Sequence, residues 1–304
     1  MTRKIIVFGS RGQVGQKLMS FGSEQNFLII GFSHRDLDIT KETDVTAVMK
    51  DYDCDLIINA AAYTNVDGAE VEKEKAFRIN SDGPAILAQA CCEVDIPLIH
   101  ISTDYVFDGT KDCGFIEDDA NAPLGVYGDS KLAGEKAVRE LLEKHIILRT
   151  SWVYSSSGNN FVKTMLNLGQ KREELKIIND QIGCPTAAYD IAKTLLELGD
   201  KIFLQGPKVE WGTFHYCGDT ELSWYEFACE VFRLAEDRLG IKTPRLYPVS
   251  TNEYPTTARR PSYSVLDCSR IGRVFDVYPA PFLSSLSQVI GELKTLNNIE
   301  IQKS

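Results

Sequence analysis

The sequence lacks the cysteine and histidine patterns that bind metal ions. Its eight cysteines include no C-x-x-C pair, so neither a zinc knuckle nor a dithiol redox motif is present. Its four histidines are far apart in the chain, and none belongs to an H-E-x-x-H pattern. Scattered cysteines are typical of reduced thiols in a cytosolic protein, and the helical spacing of Cys91 with its apolar neighbours places that thiol in a core. We therefore predict no metal site from these residues.

Long hydrophobic runs and an excess of positive charge are also absent. No segment approaches the length of a membrane helix, and MTRKIIVFG has too few apolar residues for the core of a signal peptide. The formal net charge of −10 disfavours binding to nucleic acids or membrane surfaces, because both are polyanionic. We expect a cytoplasmic protein without nucleic-acid or membrane partners, in which local groups must bind any phosphate-bearing ligand.

The alternation of short β-branched runs with helical patterns in the first half of the chain predicts the fold class. Such alternation is typical of a parallel sheet covered by helices on both faces. We predict strands at residues 4–8, 27–32, 55–60, 96–102 and 145–150. After Thr150 strands become sparse and loops more frequent, which indicates a second, smaller lobe. The predicted fold is α/β, a Rossmann-type doubly wound parallel sheet with a smaller α/β lobe.

A glycine-rich segment, VFGSRGQVGQKL, follows the first predicted strand and opens a helix. Gly9, Gly12 and Gly15 are spaced three residues apart. Glycine at these positions allows a tight turn, a close approach of pyrophosphate to the backbone, and close packing of helix on strand. The helix N-terminus then supplies N–H groups and a positive dipole end for the phosphate. The segment predicts a dinucleotide-binding loop; a plain glycine turn is the alternative.

Domain boundaries follow from this loop and from the change of texture after Thr150. We assign residues 1–150 to an NAD(P)-binding domain, to which part of 187–217 returns. Residues 151–186 and 218–304 form the predicted substrate-binding lobe, which has no clean linker to the first domain. No internal repeat or low-complexity tract is visible in the sequence.

The end of the second predicted strand bears on the choice of cofactor. Dinucleotide folds usually place an acidic residue there, which binds the adenosine ribose hydroxyls. In this chain Phe32 stands at that position and is followed by Ser33, His34 and Arg35. A hydroxyl and positive charge suit a 2′-phosphate, so we predict NADPH as the preferred cofactor, with NADH possible, and assign Ser33 and Arg35 to its recognition.

The segment VYGDSKLAGEK places Tyr127 one helical turn before Lys131, on the same face of a predicted helix. A surface pair of ordinary polar residues is the alternative for this spacing alone. The fourth predicted strand, however, ends in STDYVFDG, which brings Ser102, Thr103 and Asp104 to the sheet edge where open α/β folds bind ligands. Together these groups predict a site for carbonyl reduction.

Carbonyl reduction explains why these residue types are needed. Reduction places negative charge on the carbonyl oxygen, and a proton donor must be ready to neutralise it. A free tyrosine has a pKa near 10, and we expect the neighbouring Lys131 ammonium to lower the pKa of Tyr127 towards about 7. Thr103 is expected to orient and polarise the carbonyl group. The same helix is predicted to bury Ala133, Ala137, Val138, Leu141 and Leu142.

The glycine spacing G-x-x-G-x-x-G resembles that of extended short-chain dehydrogenases/reductases. Six further segments resemble the dTDP-4-dehydrorhamnose reductase family within that group, and the match runs from residue 4 to about residue 270. The resemblance implies NADPH-dependent reduction of the 4-keto group of dTDP-4-dehydro-β-L-rhamnose to dTDP-L-rhamnose. The segments are NAAAYTNVDGAE, STDYVFDGT, VYGDSKLAGEKA, LRTSWVYSSSGNNFVKTML, INDQIGCPT and RPSYSVLD.

The resemblance also implies roles for individual residues. The catalytic set is Thr103, Asp104, Tyr127 and Lys131, of which Thr103 and Asp104 also contact the substrate. Trp152 would contact the sugar, with a core tryptophan as the alternative. Apart from the resemblance, Arg259 and Arg260 are candidates for binding the diphosphate because guanidinium groups match phosphate oxygens, with a pair of exposed arginines as the alternative. The cofactor-binding residues are Gly9, Arg11, Gly12, Gln13, Val14, Gly15, Ser33, Arg35, Asp38, Ile39, Ala62, Tyr63, Thr64, Ser102, Tyr127 and Lys131.

Other functions stay open at this point. Related 4,6-dehydratases carry a second carboxylate after the catalytic threonine, where this chain has Tyr105. A nucleotide-sugar epimerase would need no net reductant. A non-catalytic NADP-binding regulatory subunit, similar to that of methionine adenosyltransferase, shares the DYVFDG and Y-x-x-x-K segments. Some reductase relatives associate through a bound magnesium ion, but the sequence singles out no carboxylate cluster that would bind it. Magnesium binding and the choice between monomer and homodimer therefore stay open. The sequence also leaves open whether the substrate carries dTDP or UDP.

Overall fold

Six parallel strands form the central sheet of the computed structural model, which describes residues 2–21 and 27–301. The described strands are β1 (Arg3–Phe8), β2 (Phe27–Phe32), β3 (Leu56–Asn59), β4 (Leu98–Thr103), β5 (His145–Thr150), β6 (Val153–Tyr154), β7 (Glu174–Ile178), β8 (Ile182–Gly183), β9 (Thr186–Ala187), β10 (Gly212–His215), β11 (Leu222–Ser223) and β12 (Arg245–Val249). The sheet has the order β2, β1, β3, β4, β5, β10. All five predicted strands are present in it.

Eleven α-helices are described around the strands. They are α1 (Gln13–Phe21), α2 (Glu42–Asp51), α3 (Val66–Val71), α4 (Lys73–Phe77), α5 (Gly83–Glu93), α6 (Val126–Leu141), α7 (Phe161–Gly169), α8 (Ala188–Gln205), α9 (Trp224–Leu239), α10 (Ser269–Phe275) and α11 (Phe282–Ile301). None of the described helices is long and apolar enough to cross a membrane.

Alternating residues of β1 show that both faces of the sheet are covered. Ile5 and Val7 point into one hydrophobic core, which α1 and α8 complete, whereas Ile6 and Phe8 point into another, beneath α2 and α5. This period of two is the geometry of a strand, and burial on both faces explains its continuous apolar run. Cys91 lies fully buried in the second core, as its spacing predicts. The α/β doubly wound fold is confirmed.

The strand order reverses at β1, which pairs with β2 on one side and with β3 on the other. Doubly wound sheets bind their ligands at such a switch point, outside the carboxyl ends of the strands. The chain therefore has a cleft above β1 and β3, into which the loop after β1 opens.

A third hydrophobic core lies in the second half of the chain. It contains buried residues of α7, α9 and α11, among them Leu166, Phe227 and Leu286, together with β7. β7 forms a parallel pair with β12, outside the central sheet. Residues 212–215 return as β10 to the edge of the central sheet, beside β5. The domain boundaries themselves stay a prediction.

The burial of α6 differs from the pattern expected from its apolar residues. Leu141 is 37% exposed, whereas Lys131 and Glu135 are buried with 2% and 0% exposure. Val138 and Leu142 are buried as predicted. The face of α6 that packs on β4 and β5 therefore carries polar groups, which apolar periodicity alone does not predict.

Candidate active site

A cavity of about 480 Å³ lies at the switch point of the sheet. It is lined by the loop after β1, by the turn after β2 and by the segment after β3. Nine of the predicted cofactor-binding residues line it: Gly9, Arg11, Gly12, Ser33, Asp38, Ile39, Ala62, Tyr63 and Thr64. The cavity also includes Phe8, Phe32, His34, Leu37, Ala60, Ala61, Asn65 and Ile79, which sequence reasoning did not assign to it.

Gly9 shows why this loop requires glycine. Its φ is +84°, and a Cβ atom there would lie 2.5 Å from the backbone nitrogen of Ala61. Both the positive φ and this contact exclude other residues. The amide of Gly12 donates to the carbonyl of Gly9 at 2.9 Å, which closes the turn just before α1 begins at Gln13. The positive end of α1 thus opens beside the cavity, a suitable place for a pyrophosphate.

The remaining residues of the glycine loop have other surroundings. Val14 and Gly15 are buried under the first turn of α1 and do not line the cavity. The Gln13 side chain points to the second half of the chain, where its Oε1 accepts hydrogen bonds from Ser155 Oγ at 3.0 Å and Asn160 Nδ2 at 2.9 Å. Gln13 therefore links the loop to the segment that leads into α7.

The turn after β2 brings one of its two predicted cofactor-binding residues, Ser33, to the cavity. The buried Ser33 hydroxyl donates to Asp36 Oδ2 at 2.7 Å, and the Ser33 amide donates to the same oxygen. These hydrogen bonds, aided by the charges of Arg11 and His34, lower the pKa of Asp36. Arg35 is exposed and does not line the cavity. The basic side chains that line the cavity near this turn are those of Arg11 and His34.

Three hydrogen bonds hold Tyr63 in place at the wall of the cavity, and in one of them its carbonyl oxygen accepts from Asn80 Nδ2 at 3.0 Å. The amide of Tyr63 donates to Asn80 Oδ1 at 2.8 Å, and its phenol donates to Glu72 Oε2 at 2.6 Å. Asn80 also donates to Ser130 Oγ on α6 at 3.0 Å. The segment after β3 is thereby attached to the helix that carries the predicted catalytic tyrosine and lysine.

Close packing at Gly128 brings that helix to the end of β4. A Cβ atom on Gly128 would lie 2.2 Å from the carbonyl oxygen of Tyr105, so α6 could not approach the turn after β4 with any larger residue. The rings of Tyr105 and Tyr127 pack edge to face, with centroids 5.8 Å apart. This contact places Tyr127 beside Thr103, the last residue of β4.

The phenol of Tyr127 has a raised pKa, not the lowered one expected. Burial raises the pKa of Tyr127 to about 12; a hydrogen bond with the Thr103 side chain lowers it, and the charge of Asp104 raises it. Tyr127 is accordingly a neutral phenol near neutral pH, which is the form that donates a proton.

Lys131 lies deeper than Tyr127, against the same strand. Its Nζ donates to the carbonyl oxygen of Ile101 at 2.7 Å. Burial lowers the pKa of Lys131 to about 8, although the carboxylate of Glu135 acts to raise it. Tyr127 and Lys131 thus share the face of α6 that meets β4, as their spacing predicts. Ser102 is buried on β4 and does not line the cavity.

Thr103 and Asp104 form a buried pair at the end of β4, with 5% and 2% exposure. Thr103 Oγ1 donates to Asp104 Oδ1 at 3.0 Å and accepts from the amide of Tyr105 at 3.2 Å. Burial raises the pKa of Asp104 to about 7, against the lowering effect of the nearby Ser264 and Thr103 side chains. Its Oδ2 is buried without a hydrogen-bond partner in the described structure. An uncommitted acceptor therefore lies next to Thr103.

Trp152 stands two residues after β5, at the junction of the sheet with the second lobe. Its φ is +46°, in the left-handed region that tryptophan rarely adopts. The ring stacks on Trp224 with a centroid distance of 3.5 Å and an interplanar angle of 5°, and Gly183 also packs closely against it. Both tryptophans are partly exposed. They form an aromatic surface, of which sequence reasoning assigned only Trp152.

Arg260 is half-buried near the catalytic set and is held by an acid. Its Nη2 lies 2.6 Å from Asp67 Oδ2, and this ion pair lowers the pKa of Asp67. The Tyr105 phenol also acts on the Arg260 guanidinium, which therefore lies close to the Tyr105 and Tyr127 pair. Arg259 is exposed. A diphosphate at Arg260 would have to share the guanidinium with Asp67.

A buried ion pair beneath the catalytic residues was not predicted. The Glu135 carboxylate accepts from Arg149 Nε at 2.9 Å and from Nη2 at 2.7 Å. Glu135 and Arg149 lie fourteen residues apart on α6 and β5, a separation without a sequence signal.

In the described part of the chain, no group of three or more histidine, cysteine, aspartate or glutamate side chains is arranged to bind a metal ion.

Comparison with known proteins gives consistent results across the chain. The sequence model of the RmlD substrate binding domain family matches residues 3–295. The dTDP-4-dehydrorhamnose reductase of Escherichia coli strain K12 is 40% identical over 299 residues, which cover 97% of this chain and 99% of that protein. The enzyme of the same name from Aggregatibacter actinomycetemcomitans is 39% identical and covers 94% of this chain and 98% of its own length.

A solved structure agrees with these relatives. The dTDP-4-dehydrorhamnose reductase of Bacillus anthracis, in complex with NADP, is 37% identical, with a TM-score of 0.88 over 96% of this chain and 100% of that chain. The similarity extends over both the sheet and the second lobe. The chain therefore belongs to the RmlD family, whose named relatives are dTDP-4-dehydrorhamnose reductases.

Proposed function

We propose that this chain is an NADPH-dependent oxidoreductase that reduces the 4-keto group of dTDP-4-dehydro-β-L-rhamnose to give dTDP-L-rhamnose. The observation that carries the proposal is the meeting of Thr103, Tyr127 and Lys131 at the carboxyl end of β4. β4 is the neighbour of β3, whose following segment lines the dinucleotide cavity. Relatives of the same name cover nearly the whole chain.

The described residues fit a bound NADPH. The cavity, the bare backbone at Gly9 and the N-terminus of α1 suit a pyrophosphate, and Arg11 with His34 suits a 2′-phosphate. The bound cofactor supplies the hydride that reduces the carbonyl carbon, and the overall reaction also consumes one proton. These groups give the cofactor a site that the net charge of −10 would otherwise disfavour.

Tyr127 is the proposed donor of that proton. Its raised pKa keeps the hydroxyl protonated until negative charge develops on the substrate oxygen. Proton transfer then leaves a phenolate, which the Lys131 ammonium on the same helix face stabilises. Thr103, within hydrogen-bonding reach of the Tyr127 phenol, is proposed to orient the carbonyl oxygen towards it. Asp104 holds Thr103 and offers its free oxygen to a substrate hydroxyl.

The second lobe is proposed to hold the nucleotide sugar. The stacked Trp152 and Trp224 rings offer an apolar surface of the kind that packs on sugar rings. Arg260 offers a guanidinium to the diphosphate, for which its fork is well suited. Its ion pair with Asp67 would then orient the guanidinium before substrate binds.

The test is the loss of NADPH absorbance with dTDP-4-dehydro-L-rhamnose as substrate, run beside its UDP counterpart. We expect stoichiometric oxidation of NADPH and a 4-hydroxy product, whose configuration at C4 is read by NMR. Turnover without net oxidation would indicate an epimerase, and loss of water from the sugar a dehydratase. Tight NADP binding without any turnover would favour the regulatory-subunit alternative.

Location and assembly follow as finer proposals. We infer a cytoplasmic protein that works as a monomer or a homodimer. Sedimentation before and after treatment with a chelator separates these two states and reports whether magnesium contributes to association.

A further inference from the structure

Three residues spaced four apart on α6 form one continuous stripe that faces the sheet. Tyr127 meets Thr103 at the end of β4, and Lys131 reaches the carbonyl of Ile101 on the same strand. One turn further, Glu135 reaches Arg149 on the neighbouring strand β5. Residues four apart lie one above the other on a helix, so the phenol, the ammonium and the carboxylate form a row.

The last member of this row takes part in a fully buried ion pair. The side chains of Arg149 and Glu135 are 2% and 0% exposed. Two parallel hydrogen bonds join them, and Arg139 adds a third from the partly exposed side at 3.1 Å. Arg149 is further fixed by Phe107, whose ring centroid lies 5.1 Å from the guanidinium carbon. The position of the carboxylate is therefore determined from several directions.

A buried ion pair seldom stabilises a protein more than well-packed apolar residues would, because both charges lose their hydration. We therefore infer that the ion pair directly below Lys131 has a role other than stabilising the fold. Burial alone favours the neutral amine of Lys131, and a nearby anion offsets that preference.

The charged and titratable groups around Lys131 come from three elements. On α6 they are Tyr127 and Glu135, and on β5 the guanidinium of Arg149. From β4, the fully buried His100 faces the same region, and burial and the charge of Lys131 hold its pKa well below its usual range. His100 is accordingly neutral, so Glu135 is the anion of this set that acts on Lys131.

We propose that Glu135 is a positioning residue for the reduction, whose carboxylate, fixed by Arg149, keeps the Lys131 ammonium charged in the row below Tyr127. The inference rests on the proposed function, since a charged Lys131 matters because it stabilises the phenolate that proton donation leaves. Glu135 itself touches neither substrate nor cofactor in this assignment; it acts through Lys131.

The first test is the pH dependence of kcat in Glu135→Gln. In the wild type we expect kcat to fall on the basic side as Lys131 loses its proton, near pH 8. The amide keeps the size of the side chain but removes its charge, so Lys131 deprotonates more readily. We expect the basic limb to move to lower pH by at least about half a unit. Arg139→Gln, which removes a partner of Glu135 but keeps the carboxylate, is the matched control and should leave the limb in place.

A double variant separates charge from folding. Glu135→Gln alone leaves Arg149 buried without a partner, which is destabilising. Glu135→Gln with Arg149→Met removes both charges together, so folding is retained while the anion near Lys131 is lost. If Glu135 has only a structural role, this double variant recovers the wild-type pH profile. If the proposal is right, its basic limb stays shifted.

A readout independent of turnover completes the test. NMR titration of protein labelled at lysine Cε, with the Lys131 signal assigned from Lys131→Met, measures the pKa of this ammonium directly. We expect a lower pKa in the double variant than in the wild type. An unchanged Lys131 titration overturns the proposal even if turnover is impaired. The two proposals can also fail separately. If the wild type shows no reductase activity but the pKa of Lys131 is still lower in the double variant than in the wild type, the proposed function is overturned and the role of Glu135 at Lys131 is retained.

Discussion

The substitution Asp104→Asn tests the electrostatics at the end of β4 through protein stability. Asp104 is 2% exposed, and burial raises its pKa from 3.8 to about 7. Because the folded state holds this proton more tightly than the unfolded state, the stabilising contribution is complete below pH 3.8. It is lost as the pH rises towards 7, since ionisation is easier in the unfolded chain.

The size of this effect follows from the two pKa values. A difference of about 3 units corresponds to roughly 4 kcal/mol between strongly acidic and alkaline conditions. Between about pH 5 and about pH 8, where the protein can be handled, the loss is about 2 to 3 kcal/mol. An asparagine has no proton to lose, and its amide oxygen can still accept the hydrogen bond from Thr103. Asp104→Asn should therefore become more stable relative to wild type by about 2 to 3 kcal/mol as the pH rises over that interval.

Urea unfolding at the two pH values measures this difference. The exposed Asp112 provides the control, because Asp112→Asn makes the same substitution without affecting a buried group. If the free energy of unfolding of Asp104→Asn follows that of wild type in parallel at both pH values, Asp104 does not carry a raised pKa. The assignment of a buried, poorly solvated carboxyl at this site would then be wrong.

Three further substitutions test other parts of the site. Tyr127→Phe should lower kcat at least about a hundredfold with little change in NADPH affinity, because only the proton donor is lost; near-normal turnover would remove Tyr127 from the mechanism. Arg11→Ala should weaken NADPH binding more than NADH binding, and Arg35→Ala, which changes an exposed arginine outside the cavity, is its control. Equal effects of the two variants would favour the assignment made from the sequence, in which Arg35 helps to recognise the 2′-phosphate. Gly128→Ala should reduce both activity and thermal stability, since its Cβ would meet the carbonyl of Tyr105 at 2.2 Å; a fully active and stable variant would show that α6 is free to shift.

The central sheet was predictable because the residues of each strand themselves form a local pattern that is typical of a strand. β1, β2, β3 and β5 begin and end within one residue of their predicted bounds, since each is a short apolar run bounded by turn residues. The glycine loop was predictable for a similar reason, because its spacing encodes a turn. The short strands β6, β8 and β9, of two residues each, depend on partners elsewhere in the chain and leave no such local pattern.

The site was predictable only in part, because many of its contacts join distant segments. Tyr127 and Lys131 are four residues apart, and this spacing correctly predicted that they share one face of a helix. Asp36 binds Ser33 through turn geometry that composition does not reveal. The pairing of Glu135 with Arg149 depends on the register of β5 beside β4, and the stacking of Trp224 on Trp152 depends on how the second lobe packs.

The pKa of Tyr127 shows how the same residues can serve reduction without an acidic tyrosine. The expectation of a pKa near 7 came from the charge of Lys131, but burial raises the pKa of Tyr127 to about 12, and it is the hydrogen bond with Thr103 that acts to lower it. A phenol with a high pKa is a weak acid towards water, yet an alkoxide forming on a reduced ketone is more basic still, so the transfer remains downhill. What such a donor requires is stabilisation of its phenolate after the transfer, and that depends on a charged Lys131. Burial brings the pKa of Lys131 down to about 8, close to neutral pH. A further small lowering of this pKa would therefore remove the positive charge that stabilises the phenolate. Within the row of Tyr127, Lys131 and Glu135, our proposal therefore assigns the pH dependence to the lysine and its neighbouring carboxylate, not to the tyrosine.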